Sequence, residues 1–295
     1  MVLESDFMET IRKAVIPAAG LGIRFLPATK SQPKEMLPIV DKPVIHFVVE
    51  ELVKSGIDDI IIITGRGKRA LEDYFDFAPE LENYLRNFNQ SNLLKPVEEI
   101  LNNSSIHFIR QPEPKGLGDA ILHAEKHIGS EPFVVALGDD IIFSEHPATR
   151  QIIDVFNKYN SSVIGVEEVP EESVSSYGII NCTEVGNNVF AVRDLIEKPD
   201  VQQAPSNMGI IGRYGMIPEI FDCLKQTAPG HKKEIQLTDA LRILLKSQNI
   251  HAYKIQGKRY DIGSKLGYLK ATIELALQRE DLKDDIKNYL KEILS

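Results

Sequence analysis

Five short runs, at residues 14–17, 60–64, 106–110, 133–138 and 162–169, are apolar and largely β-branched, and the stretches between them have helical spacing. Strands that are apolar on both faces need cover on both faces, and a helix between two of them returns the chain for parallel pairing. The stretch 44–55 places Val44, Ile45, Val48 and Leu52 on one helical face and stops at Gly56. Residues 118–127 and 151–159 give further helices. This pattern predicts an α/β chain with a parallel sheet covered by helices on both faces. Ligands of such sheets bind beyond the carboxyl ends of the strands. The segments 20–24, 111–118 and 139–140 each follow a strand and are expected to meet there. From about Tyr177 the strands become shorter (177–182, 190–196, 210–216 and 252–255), which predicts an elaboration folded over the same crevice. No Pro/Gly/Ser-rich linker, repeat or low-complexity tract interrupts the chain.

A length of 295 residues suits one large α/β domain or two modest ones. With 43% hydrophobic and 26% charged residues the composition is that of an ordinary globular protein. The net charge of −9, with no basic block, argues against a nucleic-acid partner and restricts any polyanion to a local cationic pocket. Residues 1–13 carry acids and no apolar core of a signal peptide, and no run approaches the roughly 18 apolar residues of a membrane span. The two cysteines, Cys182 and Cys223, have no metal-ligand spacing and are expected to be buried structural thiols in a reducing compartment. A cytoplasmic location follows as the expectation, and the sequons at Asn103, Asn160 and Asn181 then have no role. The seven histidines show no ligand spacing, and no Ser/His/Asp or Cys/His set suggests covalent catalysis.

The most specific chemistry lies in residues 14–38. An apolar strand runs into a loop of small residues, Ala18-Ala19-Gly20-Leu21-Gly22, whose glycines let backbone N–H groups approach an anion. Two cations, Arg24 and Lys34, follow at once. Bare amides with a guanidinium and an ammonium within reach form a phosphate cradle. No Gly-Lys-Ser/Thr closes the loop, so it is not a Walker A, and the third glycine of a dinucleotide fingerprint is absent. Taken alone, Gly-x-Gly-x-Arg also fits a plain strand-to-helix turn.

The continuation Leu26-Pro27-Ala28-Thr29-Lys30 and Pro33-Lys34-Glu35-Met36-Leu37-Pro38, with Val40-Asp41-Lys42-Pro43, resembles the opening of the bacterial UTP–glucose-1-phosphate uridylyltransferases. These are sugar-phosphate nucleotidyltransferases. Later stretches match in order: residues 75–85 with a Glu-Leu-Glu insert, Gln111 with Lys115-Gly116-Leu117-Gly118, Leu137-Gly138-Asp139-Asp140, Tyr177-Gly178 and Glu197-Lys198-Pro199. Ala204-Pro205-Ser206-Asn207, Glu234 to Asp239, Asp261-Ile262-Gly263 and Lys265-Leu266-Gly267-Tyr268 complete the set, so the resemblance spans about residues 11–280. It implies a Rossmann-like, mostly parallel mixed sheet of the nucleotide-diphospho-sugar transferase kind. It also implies a magnesium-dependent condensation of UTP with α-D-glucose 1-phosphate to UDP-glucose and pyrophosphate.

The resemblance places Arg24 and Lys34 on the triphosphate, and the nucleotide on Ala18 to Gly22, Glu35, Gln111, Gly116 and Gly118. It places the metal on Asp139 with Asp261 as partner and Asp140 beside them, although a lone strand-end aspartate is as often a helix cap. Lys198 falls to the sugar phosphate, Glu197 to sugar hydroxyls, Gly178 to the hexose, and Asn207 to the same half. An ionised Glu35 can accept from uracil N3–H and repels the N3 lone pair of cytosine. One position departs: Ile23 stands where the family's loop reads Thr, which removes a hydroxyl that could donate to a phosphate oxygen. That substitution supports an alternative in which the chain is a weakly active or non-catalytic paralogue acting as a binding or regulatory subunit. Another NTP or sugar 1-phosphate as substrate is a further alternative.

The organisation expected is an arm at 1–10, one domain at 11–280 with a nucleotide half (about 11–170) and a sugar-phosphate half (about 171–265), and a helical segment at 266–295. In that last segment Leu282, Ile286, Tyr289, Leu290 and Ile293 share a face. The stripe can pack on its own subunit or make a subunit contact, and a homodimer or homotetramer through this third is expected.

Overall fold

The computed structural model describes residues 10–230 and 233–294, so most of the arm expected at 1–10 lies outside the described residues. The chain opens with β1 (Lys13–Pro17) and passes through a loop into a small ribbon, β2 (Pro38–Ile39) and β3 (Lys42–Pro43). Then follow α1 (Val44–Lys54), β4 (Asp59–Thr64), α2 (Arg69–Phe75), α3 (Pro79–Asn87), α4 (Lys95–Asn103) and β5 (Ser105–Arg110). Next come α5 (Leu117–Leu122), α6 (Glu125–Ile128), β6 (Phe133–Ala136), β7 (Asp140–Phe143), α7 (Ala148–Tyr159) and β8 (Ser162–Glu168). The second half contains β9 (Gly178–Gly186), β10 (Val189–Glu197), β11 (Met208–Met216), α8 (Ile220–Gln226) and α9 (Leu237–Leu244). It ends with β12 (Ile250–Lys254), β13 (Lys258–Asp261), α10 (Lys265–Gln278) and α11 (Lys283–Leu294).

Among the described residues, nine strands form one mixed sheet in the order β5-β4-β1-β6-β11-β8-β12-β10-β9. The pairings β5–β4, β4–β1, β1–β6 and β8–β12 are parallel, whereas β11 and β10 run against their neighbours. The chain leaves β1 for β4 on one side and returns to β6 on the other. The carboxyl end of β1 is therefore a topological switch point, where a crevice opens. Ile60 to Ile63 are fully buried, as a strand covered on both faces requires.

Two departures from the sequence reading shape the cleft. The strand expected over 133–138 ends at Ala136, and the chain re-forms as β7, which pairs with β13 outside the main sheet. The sequence Lys-Arg-Tyr-Asp of β13 is too polar to announce a strand. The helix expected over 118–127 is two short helices, α5 and α6, broken at His123 and Ala124. The β7–β13 ribbon has its own apolar seat, in which Ile141, Tyr260 and Ile262 pack with Ile39, Val44 and Ala271 of α10.

A buried ion pair ties α1 to β11. Arg213 Nε and Nη2 donate to Glu51 Oε1 and Oε2 at 2.9 and 2.7 Å, and Thr149 donates to Glu51 Oε1 through its amide and its hydroxyl. Arg213 Nη2 also donates to the Asp140 carbonyl at 2.9 Å. With both carboxylate oxygens used, the pair avoids the penalty of an unmatched buried charge.

Candidate active site

The loop after β1 is held largely through its main-chain groups. Ala18 N–H donates to Ile63 O at 2.8 Å, which fixes the exit of β1 to β4. Gly22 has φ +64°, and a Cβ there would lie 3.2 Å from Thr29 Cγ2 in a conformation that side chains rarely adopt. Thr29 Oγ1 donates to Gly22 O at 2.7 Å and closes the turn. Ile23 and Leu21 are each two-thirds exposed and stand on the rim of the cleft. Arg24 reaches across the cleft, where its Nη1 donates to Gly263 O at 3.2 Å.

Asp139 sits between β6 and β7, and the register of the ribbon sets Asp140 opposite Asp261. Ile262 N–H donates to Asp139 O at 3.0 Å. A Cβ at Gly263 would lie 2.9 Å from Asp261 Oδ1, 3.1 Å from Asp139 Oδ2 and 3.1 Å from Arg24 Nη1, so two carboxylates and a guanidinium converge on one spot. Asp261 is not a helix cap: its Oδ1 accepts from Gly263 N–H, and Ser264 caps α10 by accepting from Gly267 N–H. Lys34 Nζ is ion-paired with Asp139. Burial pushes the Asp139 carboxyl up, but the charge and hydrogen bond of Lys34, together with a backbone hydrogen bond and the Arg24 charge, hold the group below its ordinary value. Burial likewise pulls Lys34 down, and Asp139 with Glu35 more than restores it. Both groups stay charged at neutral pH.

Glu35 is 1% exposed. Its Oε2 accepts from Lys68 Nζ at 2.8 Å, while its Oε1, also buried, has no hydrogen-bond partner among the described residues. A buried acceptor without a donor is costly unless something arrives to fill it. Ala19, Gly20, Leu21, Gly22, Glu35, Gln111 and Gly116 line one cavity of about 490 Å³, so the three expected strand-end segments do meet. Gln111 is buried and donates from Nε2 to Asp119. Gly116 has φ +107° and leaves no room for a Cβ, which would come within 2.7 Å of Glu234 Cβ. Two of the expected nucleotide residues are placed elsewhere. Ala18 is buried behind the loop, and Gly118 packs against Leu224 and Ile235 with its N–H donated to Ile235 O.

A second cavity, of about 550 Å³, is lined by Gly178, Glu197, Lys198, Thr238, Arg259 and Asp261 among others. Glu197 Oε2 accepts from Thr238 Oγ1 at 2.7 Å, and its Oε1 pairs with Lys198, whose backbone has φ +46°. A Cβ at Gly178 would press on both Thr238 Oγ1 and Glu197 Oε2. Asn207 is not on this wall; its side chain is exposed and its carbonyl accepts from Val169 N–H. Arg24, Leu117, Leu137, Asp139 and Glu234 line both cavities, so the two spaces abut at the paired cations and carboxylates.

Residues 13–278 match the nucleotidyl transferase family. The chain belongs to that family. This nucleotidyltransferase is 53% identical over 284 residues to the UTP–glucose-1-phosphate uridylyltransferase YngB of Bacillus subtilis (strain 168), with 96% of each chain covered. It superposes on a UDP-glucose pyrophosphorylase solved with UDP-glucose at a TM-score of 0.85 and 46% identity, covering 91% of this chain and all of the other. A UTP-bound enzyme from Acinetobacter baumannii gives a TM-score of 0.88 at 40% identity, covering 96% and 99%.

Three residues of the site went unread in the sequence. Lys68 follows Gly65-Arg66-Gly67 at the end of β4, a strand-end loop that could have drawn notice. Thr238 lies inside the Glu234 to Asp239 stretch without a role of its own. Arg259, paired with Asp140 and Glu167 and placed over the Tyr177 ring at 5.4 Å, left no local signal.

Proposed function

We infer that this nucleotidyltransferase condenses UTP with α-D-glucose 1-phosphate to give UDP-glucose and pyrophosphate. The observation that carries the reading is the pair of abutting cavities, one walled by glycines and amides and the other by Glu197 and Lys198, with Arg24 and Asp139 in both walls. The names of the relatives, and the UTP and UDP-glucose bound to the solved ones, supply the substrates. In this reading a phosphate oxygen of glucose 1-phosphate attacks the α-phosphorus of UTP, and pyrophosphate leaves.

The chain's own groups hold and orient. Arg24 and Lys34 neutralise the triphosphate, and Lys198 holds the sugar phosphate while Glu197 accepts from sugar hydroxyls. Glu35 Oε1, buried and unpartnered, accepts from uracil N3–H, and its charge rejects cytosine. The donor set at Asp139 and Asp261 fits magnesium, a hard cation that takes a few carboxylates and leaves positions for phosphate oxygens. When bound there, magnesium supplies charge neutralisation across phosphoryl oxygens. Ile23 gives no support to a non-catalytic reading, because every charged group named for the chemistry is present around the cleft.

Pyrophosphate release over a panel of NTPs and sugar 1-phosphates tests this directly. UTP with glucose 1-phosphate is expected to lead, with some use of dTTP because thymine shares the edge read by Glu35. No turnover with any pair contradicts the enzymatic reading, and activity confined to CTP contradicts the base assignment.

A cytoplasmic location is part of the same reading, supported by two unpaired thiols, buried Cys223 and half-buried Cys182. Among the described residues no helix is long and apolar enough to cross a membrane. The assembly belongs to the reading too: α11 packs on α10, yet Tyr289 and Ile293, with Leu266 and Leu269 of α10, remain exposed. A homodimer or homotetramer through these helices follows. Light scattering before and after deletion of residues 281–295 checks it, and a monomer at micromolar concentration contradicts it.

A further inference from the structure

The amino-terminal edge of the sheet, opposite the cleft, gathers a second set of coordinating side chains. Asp59 opens β4, His107 lies on β5, and His127 belongs to α6. The sequence shows no ligand spacing here because the three come from separate elements. Parallel register sets His107 beside Ile61, two residues past Asp59, so both side chains leave the same face. His127 Nε2 stands 3.0 and 3.2 Å from the two Asp59 oxygens, and His107 Nε2 stands 3.6 Å from Asp59 Oδ1.

The 3.6 Å separation at His107 is too long for a hydrogen bond, so hydrogen bonding to Asp59 accounts for one imidazole and not for both. All three ligand atoms lie within 4.8 Å of one another. A single point therefore lies within about 2.8 Å of all three, and a small ring rotation reaches the roughly 2.0–2.2 Å of zinc ligation. The scaffold is fixed: Lys13 Nζ donates to the carbonyls of His127 and Ile128, anchoring the end of α6 to β1. The nearest cations are already matched, Arg12 by Asp58 and Lys13 by Glu131. Access is open, since Asp59 and His107 line a cavity of about 580 Å³.

We propose that Asp59, His107 and His127 bind one imidazole-preferring divalent transition-metal ion, with zinc the best fit, which ties the starts of β4 and β5 to α6. Two imidazoles and a carboxylate suit zinc, nickel or copper, whereas the all-carboxylate cleft suits magnesium. The six residues of β4 separate the two places by roughly 17 Å at about 3.3 Å per residue, so this ion touches no substrate. Its effect is on the cohesion of the sheet edge.

The test is zinc titration of metal-stripped full-length protein in excess magnesium, followed by calorimetry and thermal unfolding, with cobalt absorption as a spectroscopic signature of imidazole ligation. Wild-type protein is expected to take up one equivalent at micromolar zinc and to gain thermal stability. His107→Ala is expected to weaken binding by about tenfold or more and to cancel that gain while leaving turnover unchanged. Asp139→Asn is expected to keep the zinc site. His107→Gln serves if the alanine variant folds poorly. Absence of saturable zinc binding, or equal affinity in wild type and both His107 variants, overturns the proposal.

Discussion

The two walls of the cleft are built on different principles. The wall proposed to hold the nucleotide is largely main chain: one contiguous loop of small residues at the switch point, tied down by Ala18 N–H to Ile63 O and closed by Thr29 onto Gly22. The wall proposed for the sugar phosphate is made of side chains drawn from distant strands and helices, with Glu197 on Thr238 and Lys198, and Arg259 on Asp140 and Glu167. A main-chain wall needs few exact residue types but an exact path, so it carries phosphate without much selectivity of its own. A side-chain wall selects by charge and hydrogen-bond pattern, and it must be held by partners. Glu35 is the exception on the nucleotide side, a buried side chain held in an ion pair with Lys68.

The largest effect is expected where the walls meet. Asp139→Asn is predicted to lower kcat by about 100-fold or more with the fold retained, because it removes a carboxylate from the convergence point at Gly263. Steady-state turnover with circular dichroism as control checks it, and near-normal kcat would break the link between the walls. The same substitution probes pH. The folded Asp139 value lies below its ordinary 3.8, so its ion pair stabilises the protein fully above about pH 4, and this is lost as pH falls through the depressed value. The difference in urea stability between wild type and Asp139→Asn should therefore be flat near neutrality and shrink on acidification.

Lys68→Met is next in size. Removing one partner of a buried pair leaves an unmatched carboxylate, and a loss of about 3–5 kcal/mol in urea unfolding is expected. Adding Glu35→Gln should recover much of that stability while leaving UTP selectivity impaired. Recovery with selectivity intact would show that Glu35 is purely structural. Ile23→Thr should be the smallest, less than about threefold in turnover, since the side chain is two-thirds exposed and the loop's shape rests on its main-chain groups. A rise of tenfold or more would mean that the nucleotide wall depends on a hydroxyl this chain has lost.

The same contrast explains what was legible in the sequence. The loop at Ala18 to Arg24 could be read because backbone chemistry writes itself into adjacent residues, and the continuous apolar strands announced the parallel part of the sheet. Arg259 could not be read, because its partners at Asp140, Glu167 and Tyr177 become neighbours only through the β7–β13 ribbon. Gly118 carries a packing demand that the sequence did not announce: a Cβ there would lie 2.8 Å from Leu224 Cδ2. Asn207 stands near the sugar-side strands in sequence, yet the start of β11 leaves its side chain on the surface.

The division of the cleft is tested most directly by measuring KM for each substrate in Arg24→Ala and Lys198→Ala at saturating co-substrate. Arg24 reaches over the nucleotide loop to Gly263, and Lys198 sits beside Glu197 on the other wall. Arg24→Ala should raise chiefly the KM for UTP, and Lys198→Ala chiefly that for glucose 1-phosphate, each by about tenfold or more for a lost charge-assisted contact. If both substitutions raise the KM of the same substrate, the two-wall account is wrong.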